Sequence, residues 1–554
     1  MILETPSQEA LAGFGAGICV IGSGSVGLSL ARALAARGER VLVLESGGPG
    51  AEAGIGDLMQ AENVRPENNF EPHTVVARQL GGTSNLWAGR CLPFDPVDFR
   101  PRPWLDLPPW PIDEIDLAPW LEAALSDMDA GAPVFREALP GVAADPAFGW
   151  EALERWSNTP KIQKRLRADL RDAANLAVAL HSTVTGFRYH EDGRIAALEL
   201  HLGRPGEGVR CVLPVAQVVL AAGGNESTRL LLLEQRRRPA LFGGADGPLG
   251  RTYMGHVSGQ IADITLENAA LHDGLDYHVD GHGSYVRRRL VPSAALQEEA
   301  RLSNVVFWPV VPPIANAAHR SGPLSAVFLA LSIEPLGRRL IAEALRRKHI
   351  GYPPYHRGAH FLNVLRDLPR TIGFAPAFLW RNKVARMRLP GFFLRNPARR
   401  YGLEYHGEHL PDPESRLTLA EACDALGQPR LRIDLRFSEA DAGPVLRAHE
   451  ALAAWLGRNG LGRIDYYEAD PARRAAAVIA EATDGAHQIG TIRMGPAPGA
   501  AVVDGDCRAF DVPNLFVAST AVLPTSGQAN PTLTAVQLGL RLASRLTREG
   551  LAPV

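Results

Sequence analysis

A glycine-rich turn between two apolar runs constrains this chain more than any other feature. Ile18-Cys19-Val20-Ile21 has the apolar, β-branched character of a strand buried on both faces. Gly22-Ser23-Gly24-Ser25-Val26-Gly27 follows as GxGxxG. A helical pattern then runs to about Ala36, and the apolar run Val41–Leu44 ends on Glu45. Strand, turn, helix, strand and terminal acid, in that order, are the parts of a dinucleotide site. Gly22 is expected to make the tight turn. Gly24 leaves room for a pyrophosphate against backbone N–H groups at a helix N-terminus. Gly27 lets helix and strand pack closely, and Glu45 can accept hydrogen bonds from a ribose. A ligand-free glycine turn would not account for Glu45.

At 554 residues the chain is too long for one ordinary domain. Hydrophobic content of 46% and charged content of 21% are those of a soluble globular protein. A net charge of −2 provides no global field for nucleic acid. Cys19, Cys91, Cys211, Cys423 and Cys507 are scattered, with no CxxC pair and no zinc-type His spacing, so no metal site is expected. Scattered thiols suit a reducing compartment. The first fourteen residues hold Glu4 and Glu9 and no Lys or Arg, unlike a signal peptide, and no run of eighteen apolar residues occurs. A cytoplasmic protein is expected.

Further nucleotide-type signals recur far apart. Residues 78–90 (RQLGGTSNLWAGR) form a Gly-rich loop. Residues 216–224 (AQVVLAAGG) read as a buried strand ending in glycines, and 514–524 (NLFVASTAVLP) as a strand running into a turn. Residues 531–547 read as a closing helix with Pro531 in its first turn. The expected fold class is therefore α/β. A Rossmann-like domain built from 1–50, 75–110, 155–260 and 481–554 is interleaved with an α+β domain built from 111–154 and 261–480, the latter containing an antiparallel sheet.

Residues 335–403 differ in character. They hold Arg338, Arg339, Arg346, Arg347, Lys348, Arg366, Arg370, Arg381, Lys383, Arg386, Arg388, Arg395, Arg399 and Arg400 among their basic residues. Their acids are Glu343 and Asp367 alone, and Phe361, Phe374, Phe378, Trp380, Phe392 and Phe393 are interleaved. A basic helical insertion is expected. It is either a solvated cover or a surface for a membrane, a partner protein or an anionic substrate. No nucleic-acid module accompanies it.

Seven ordered motifs together resemble the glucose–methanol–choline (GMC) oxidoreductases, FAD-dependent alcohol oxidases and dehydrogenases. GSGSVG with LESGG resembles the family's ADP-binding turn. RQLGGTSNLWAG, with Asp98-Phe99 and Trp110–Ile112, resembles its second flavin loop, and VVLAAGGNESTRLLL its third conserved region. LGRTYMGH (249–256) and PDPESRLTL (411–419) resemble bacterial members. HQIGTIRMG (487–495) and NLFVASTAVLPTSGQANPTLT (514–534) resemble the C-terminal catalytic blocks. The spacing looks closest to the branch of pyranose oxidases and bacterial sugar or polyol dehydrogenases.

The resemblance implies FAD held by Gly22, Gly24, Ser25, Gly27, Glu45 and Ser46 in the first turn. Arg78, Gly81, Gly82, Thr83, Asn85, Leu86, Trp87 and Ala88 would contribute from the second loop. Val184, Ala222 and Gly223 would follow, then Ala518, Ser519, Asn530, Pro531 and Thr532 near the end. Some relatives attach FAD through a histidine in the Gly-rich loop. Leu86 occupies that position here, so non-covalent FAD is expected, with His73 as a weaker attachment point.

The implied catalytic pair is His487 and Asn530. Oxidising an alcohol by hydride loss requires that its hydroxyl give up a proton, and a neutral imidazole can take it. An amide can fix the hydroxyl without competing for that proton. Asn530 before Pro531 also reads as a turn or helix cap, and both roles can hold together. Glu408 and His409 are candidates for the substrate pocket or for the surface, and His256 for a structural role. The substrate expected is a sugar, glycoside or polyol. The acceptor of its electrons could be oxygen, a quinone or a protein. A non-redox lyase or decarboxylase on the same scaffold and a flavin-binding partner protein are the rival readings.

Overall fold

The computed structural model describes all residues except 341–342, 381–386, 388, 392, 397 and 549–554. Arg381, Lys383, Arg386, Arg388 and Phe392 of the basic insertion therefore lie outside the described residues, as do the side chains of Glu343, Lys348 and Phe378.

Six parallel strands form the central sheet. Their spatial order is Ile2–Leu3, Leu176–Ala179, Val41–Leu44, Ile18–Ile21, Gln217–Leu220 and Leu515–Val517. Ile18–Ile21 and Val41–Leu44 are buried along their whole length, which explains their unbroken apolar pattern. The chain leaves Ile18–Ile21 to one side and later returns on the other. A topological switch point thus lies at the carboxyl end of that strand, where open α/β sheets bind ligands. The helix Ser25–Ala35 follows the glycine turn and packs against the closing helix Thr532–Arg548. An antiparallel meander, Ser182–Tyr189, Ile195–Leu202 and Val209–Pro214, joins this layer.

A second core surrounds an antiparallel sheet ordered Val305–Val310, Arg400–Glu408, His256–Leu266 and Gly462–Tyr466. Trp455 of helix Glu439–Arg458 packs here with Phe148, Trp150, Phe307 and Tyr405. A smaller antiparallel sheet, ordered His278–Val279, Tyr285–Arg288, Leu153–Trp156 and Arg90–Cys91, extends from the Gly-rich loop. Five helices between Gly322 and Leu379 close on a small core of their own, Ile314, Leu324, Phe328, Leu331 and Ile350.

The α/β class and the interleaving match expectation, but packing departs from the expected domain ranges at three places. Within 111–154, Leu117, Ala124, Leu125 and Met128 belong to the first core, because helix Leu121–Met128 packs on the closing helix. Leu417, Leu431 and Ile433 also join the first core. Their strands Arg416–Cys423 and Pro429–Asp434 build a three-stranded sheet with Ala61–Asn63. Conversely, the strand beginning at His256 belongs to the second sheet. Which surface covers an apolar face decides its domain, and spacing along the chain does not record that.

Candidate active site

One cavity of about 700 Å³ is lined by the glycine turn, the Gly-rich loop, the Ala222–Glu226 segment and the two C-terminal blocks. The three motif glycines have separable physical causes. A Cβ on Gly22, whose φ is +106°, would stand 2.5 Å from the Ala221 carbonyl oxygen. On Gly27 it would stand 2.1 Å from the Gly22 carbonyl oxygen. On Gly24 it would meet no protein atom within 4 Å, at an ordinary φ of −70°. The protein itself does not need glycine there, but a ligand against the helix N-terminus does. This clearance, on the cavity wall, is the observation that fits a dinucleotide cofactor.

Glu45 lies on the same wall, 5% exposed. Its Oε2 accepts from Ser23 N (3.1 Å) and Ser23 Oγ (2.6 Å), and its Oε1 from Gly47 N (2.9 Å). Burial pushes its carboxyl up, and the hydrogen bonds and Arg78 pull it back. Arg78 donates to Ser46 Oγ at 3.0 Å and is ion-paired with Glu226, all three on the wall. Ser25, Gly82, Thr83, Leu86, Trp87, Ala88, Val184, Ala222, Gly223, Ala518, Ser519, Pro531 and Thr532 line the cavity where the sequence placed them.

Gly27, Gly81 and Asn85 do not line it. Gly27 serves packing. Gly81 N donates to Ser23 Oγ (3.2 Å), tying the loop to the turn. The Asn85 amide donates to the Leu80 and Gly82 carbonyls (3.0 and 2.9 Å), so it shapes the loop from behind. His73 is exposed and off the wall, whereas Leu86 is on it.

His487 and Asn530 meet on the wall, Asn530 Nδ2 donating to His487 Nε2 at 2.9 Å. Asn530 Oδ1 is buried without a protein partner. Asn530 and Pro531 lead into the helix Thr532–Arg548, and Ala535 N donates to the Pro531 carbonyl at 2.9 Å, so cap and site coincide. Burial first, and Arg90 second, push the His487 imidazole down to about 3. The ring is therefore neutral near pH 7.

His256, expected to be structural, touches His487. Its Nδ1 is 2.8 Å from His487 Nδ1, and its ring stacks on His406 at 4.2 Å. His406 in turn contacts the Gln528 carbonyl through Nδ1 at 2.7 Å. Potential ligand atoms of His256, His406 and His487 lie within 4.8 Å of one another. Burial, mutual proximity and the charge of Arg90 push both His256 and His406 well down. Both rings are therefore neutral near pH 7.

Glu408 and His409 are not on the cavity wall. Glu408, fully buried, takes a two-pronged ion pair from Arg102 (2.6 and 2.8 Å). His409 Nδ1 accepts from Gly255 N at 3.1 Å, Nε2 contacts the Arg436 carbonyl at 2.8 Å, and the ring stacks on Phe437. A buried carboxylate needs a cation, and here the cation is protein. Neither side chain is available to a ligand.

The wall beside the pair instead includes Arg90, Trp156, Tyr277, Arg287 and Pro390. Arg287 lies 5.5 Å from the Trp156 ring and 5.1 Å from the Tyr277 ring, and its Nε donates to the buried Glu154 at 2.6 Å. Arg90 pairs with Glu154 at 2.5 Å. Arg90 ends the Gly-rich loop and was open to recognition. Trp156, Tyr277 and Arg287 lie on or beside short strands with no motif, where sequence carries no signal.

A model of FAD dependent oxidoreductases matches residues 17–297, and one of GMC oxidoreductases matches 411–539. The C-glycoside 3-oxidase of Arthrobacter globiformis is 33% identical over 127 residues, 23% of this chain and 22% of that protein. The fructose dehydrogenase large subunit of Gluconobacter japonicus is 32% identical over 181 residues, 30% of each chain. The aligned segments thus span less than a third of these curated relatives. The solved pyridoxine 4-oxidase of Mesorbium loti superposes over 96% of this chain and 99% of its own with a TM-score of 0.54, at 17% identity, a likeness of fold. With just over half of its length in the first model, this chain belongs to the FAD-dependent oxidoreductases, and its C-terminal blocks match the GMC oxidoreductase model.

Proposed function

We propose that the protein oxidises a CH–OH group of a sugar, glycoside or polyol to a carbonyl, using non-covalently bound FAD. When bound, FAD supplies the hydride acceptor. The observation that carries the reading is the His487–Asn530 contact on the wall of the cavity that also holds the dinucleotide turn.

The chain's own residues divide the remaining work. Once substrate displaces the Asn530 amide from the Nε2 lone pair, His487 Nε2 takes the hydroxyl proton, which its neutral state allows. For Nε2 to present a lone pair, the ring hydrogen must sit on Nδ1 and be donated to His256 Nδ1. His256 thereby sets the tautomer of the base. The Asn530 amide orients the hydroxyl. Trp156 and Tyr277 offer flat apolar faces for a ring, and Arg287 offers donors for further hydroxyls. Leu86 on the wall cannot bond covalently to a flavin, which supports non-covalent FAD. Proteins acting on glycosides and fructose among the relatives support the substrate class by their names.

The test is anaerobic mixing of the FAD-loaded protein with a panel of sugars, glycosides and polyols. Loss of visible flavin absorbance together with a carbonyl product is expected. Substrate cleavage with no flavin reduction would overturn the reading in favour of a lyase.

A further inference from the structure

The helical insertion turns apolar side chains outward. On helix Arg357–Arg366 the buried positions are polar. His360 contacts Ser325 Oγ (3.1 Å) and the Ala315 carbonyl (3.2 Å), and Asn363 donates to the Ala317 carbonyl (2.9 Å). The opposite side carries Phe361, Leu362 and Leu365, which are 58%, 44% and 53% exposed. Positions i, i+1 and i+4 share one side of a helix. On the next helix, Leu368–Leu379, Leu368 and Ile372 stand one turn apart and are 43% and 65% exposed. Ile333, Leu336 and Leu340 repeat the pattern along Glu334–Leu340. Ten of the eighteen large apolar side chains exposed among the described residues fall between 333 and 380.

A helix with a polar inner face and an apolar outer face is built for surroundings less polar than water. Charge says which surroundings. Residues 335–403 carry fifteen Lys and Arg against two acids, while the rest of the chain carries 43 basic against 58 acidic residues. The whole chain's near-neutrality hides a strong polarity. Exposed Arg366 and Arg370 flank the apolar positions, where long stems can lie along the apolar layer with their charge at its edge. Trp380, 60% exposed, ends the second helix, a placement suited to a membrane–water boundary. No described helix is long and apolar enough to cross a membrane.

We propose that helices Arg357–Arg366 and Leu368–Leu379 form a docking surface for an anionic lipid bilayer. Their apolar side enters the headgroup–acyl boundary, and the flanking Arg366 and Arg370 meet lipid phosphates. Pro390, on the segment returning from the insertion, lines the cavity. The proposal stands independently of the reaction assigned above.

Vesicle flotation with the full FAD-loaded chain tests it. The protein is expected to float with phosphatidylcholine–phosphatidylglycerol vesicles at low salt. Flotation should fall about tenfold or more with phosphatidylcholine alone, or in ~1 M salt, where the Debye length shrinks to about 3 Å. The triple variant Phe361→Ser/Leu365→Ser/Ile372→Ser should lose flotation while keeping its FAD content and thermal transition. Absence of flotation at low salt overturns the proposal, as does flotation that the triple variant leaves unchanged. A dimer in ultracentrifugation that the triple variant dissolves would also overturn it, identifying the face as a self-association surface.

Discussion

At the scale of single residues the site depends on which groups stay neutral. His487→Ala should slow flavin reduction by roughly 10²- to 10⁴-fold, the range for losing a general base, with FAD content retained. Stopped-flow absorbance checks it, and unchanged kinetics would move the base elsewhere. Asn530→Ala should slow reduction less, because an amide positions the hydroxyl but takes no proton. Asp484 governs the loop that carries His487: its carboxylate accepts from Ala486 N at 3.0 Å, and its carbonyl accepts from His487 N at 3.0 Å. Burial pushes its carboxyl up to about 7. The folded state therefore holds a proton that the unfolded state has released. Stability falls as pH rises from the ordinary carboxyl range through about 7, by about 1.4 kcal/mol per unit at most. Asp484→Asn keeps the acceptor and removes the charge. It should raise the melting temperature more at pH 8 than at pH 5, and an equal change at both would contradict the assignment.

At the scale of elements, strand, turn and helix act as one device, and its glycines can be told apart. Gly24→Ala places a methyl in open cavity space, so the apoprotein should melt almost as the parent does while FAD binds at least about tenfold more weakly. Gly27→Ala drives a Cβ to 2.1 Å from the Gly22 carbonyl oxygen, which forces helix and strand apart. It should cost about 1–3 kcal/mol in the apoprotein itself. Calorimetry of both apoproteins, with flavin titration, separates the two outcomes. The periodicity of strand and helix made this device readable, because 18–21 and 41–44 are buried on both faces and Ser25–Ala35 presents one apolar side.

At the scale of the whole molecule, two cores are joined by buried charge. Arg102, following the Gly-rich loop in the chain, clamps Glu408 at the end of a strand of the second sheet, with both side chains at most 1% exposed. Arg102→Met leaves that carboxylate unpaired in the interior and should destabilise the protein by about 3–5 kcal/mol, read by denaturant unfolding. The double variant Arg102→Met/Glu408→Leu should recover most of the loss. This pairing is why Glu408, an acid amid motif residues, reads as a ligand group in sequence yet never reaches the cavity.

The sequence by itself determined the dinucleotide turn, the Gly-rich loop and the His487 and Asn530 blocks. Each is local: a turn needs particular backbone freedom, and a motif keeps its chemistry within a few residues. The tertiary structure alone decided which face each segment covers. It set Arg102 against Glu408 across 306 positions and His256 against His487 across 231. It also drew Trp156, from a short strand, and Tyr277, from the loop beside another, onto the cavity wall. Such contacts arise from sheet pairing and burial between distant segments, and no spacing along the chain encodes them.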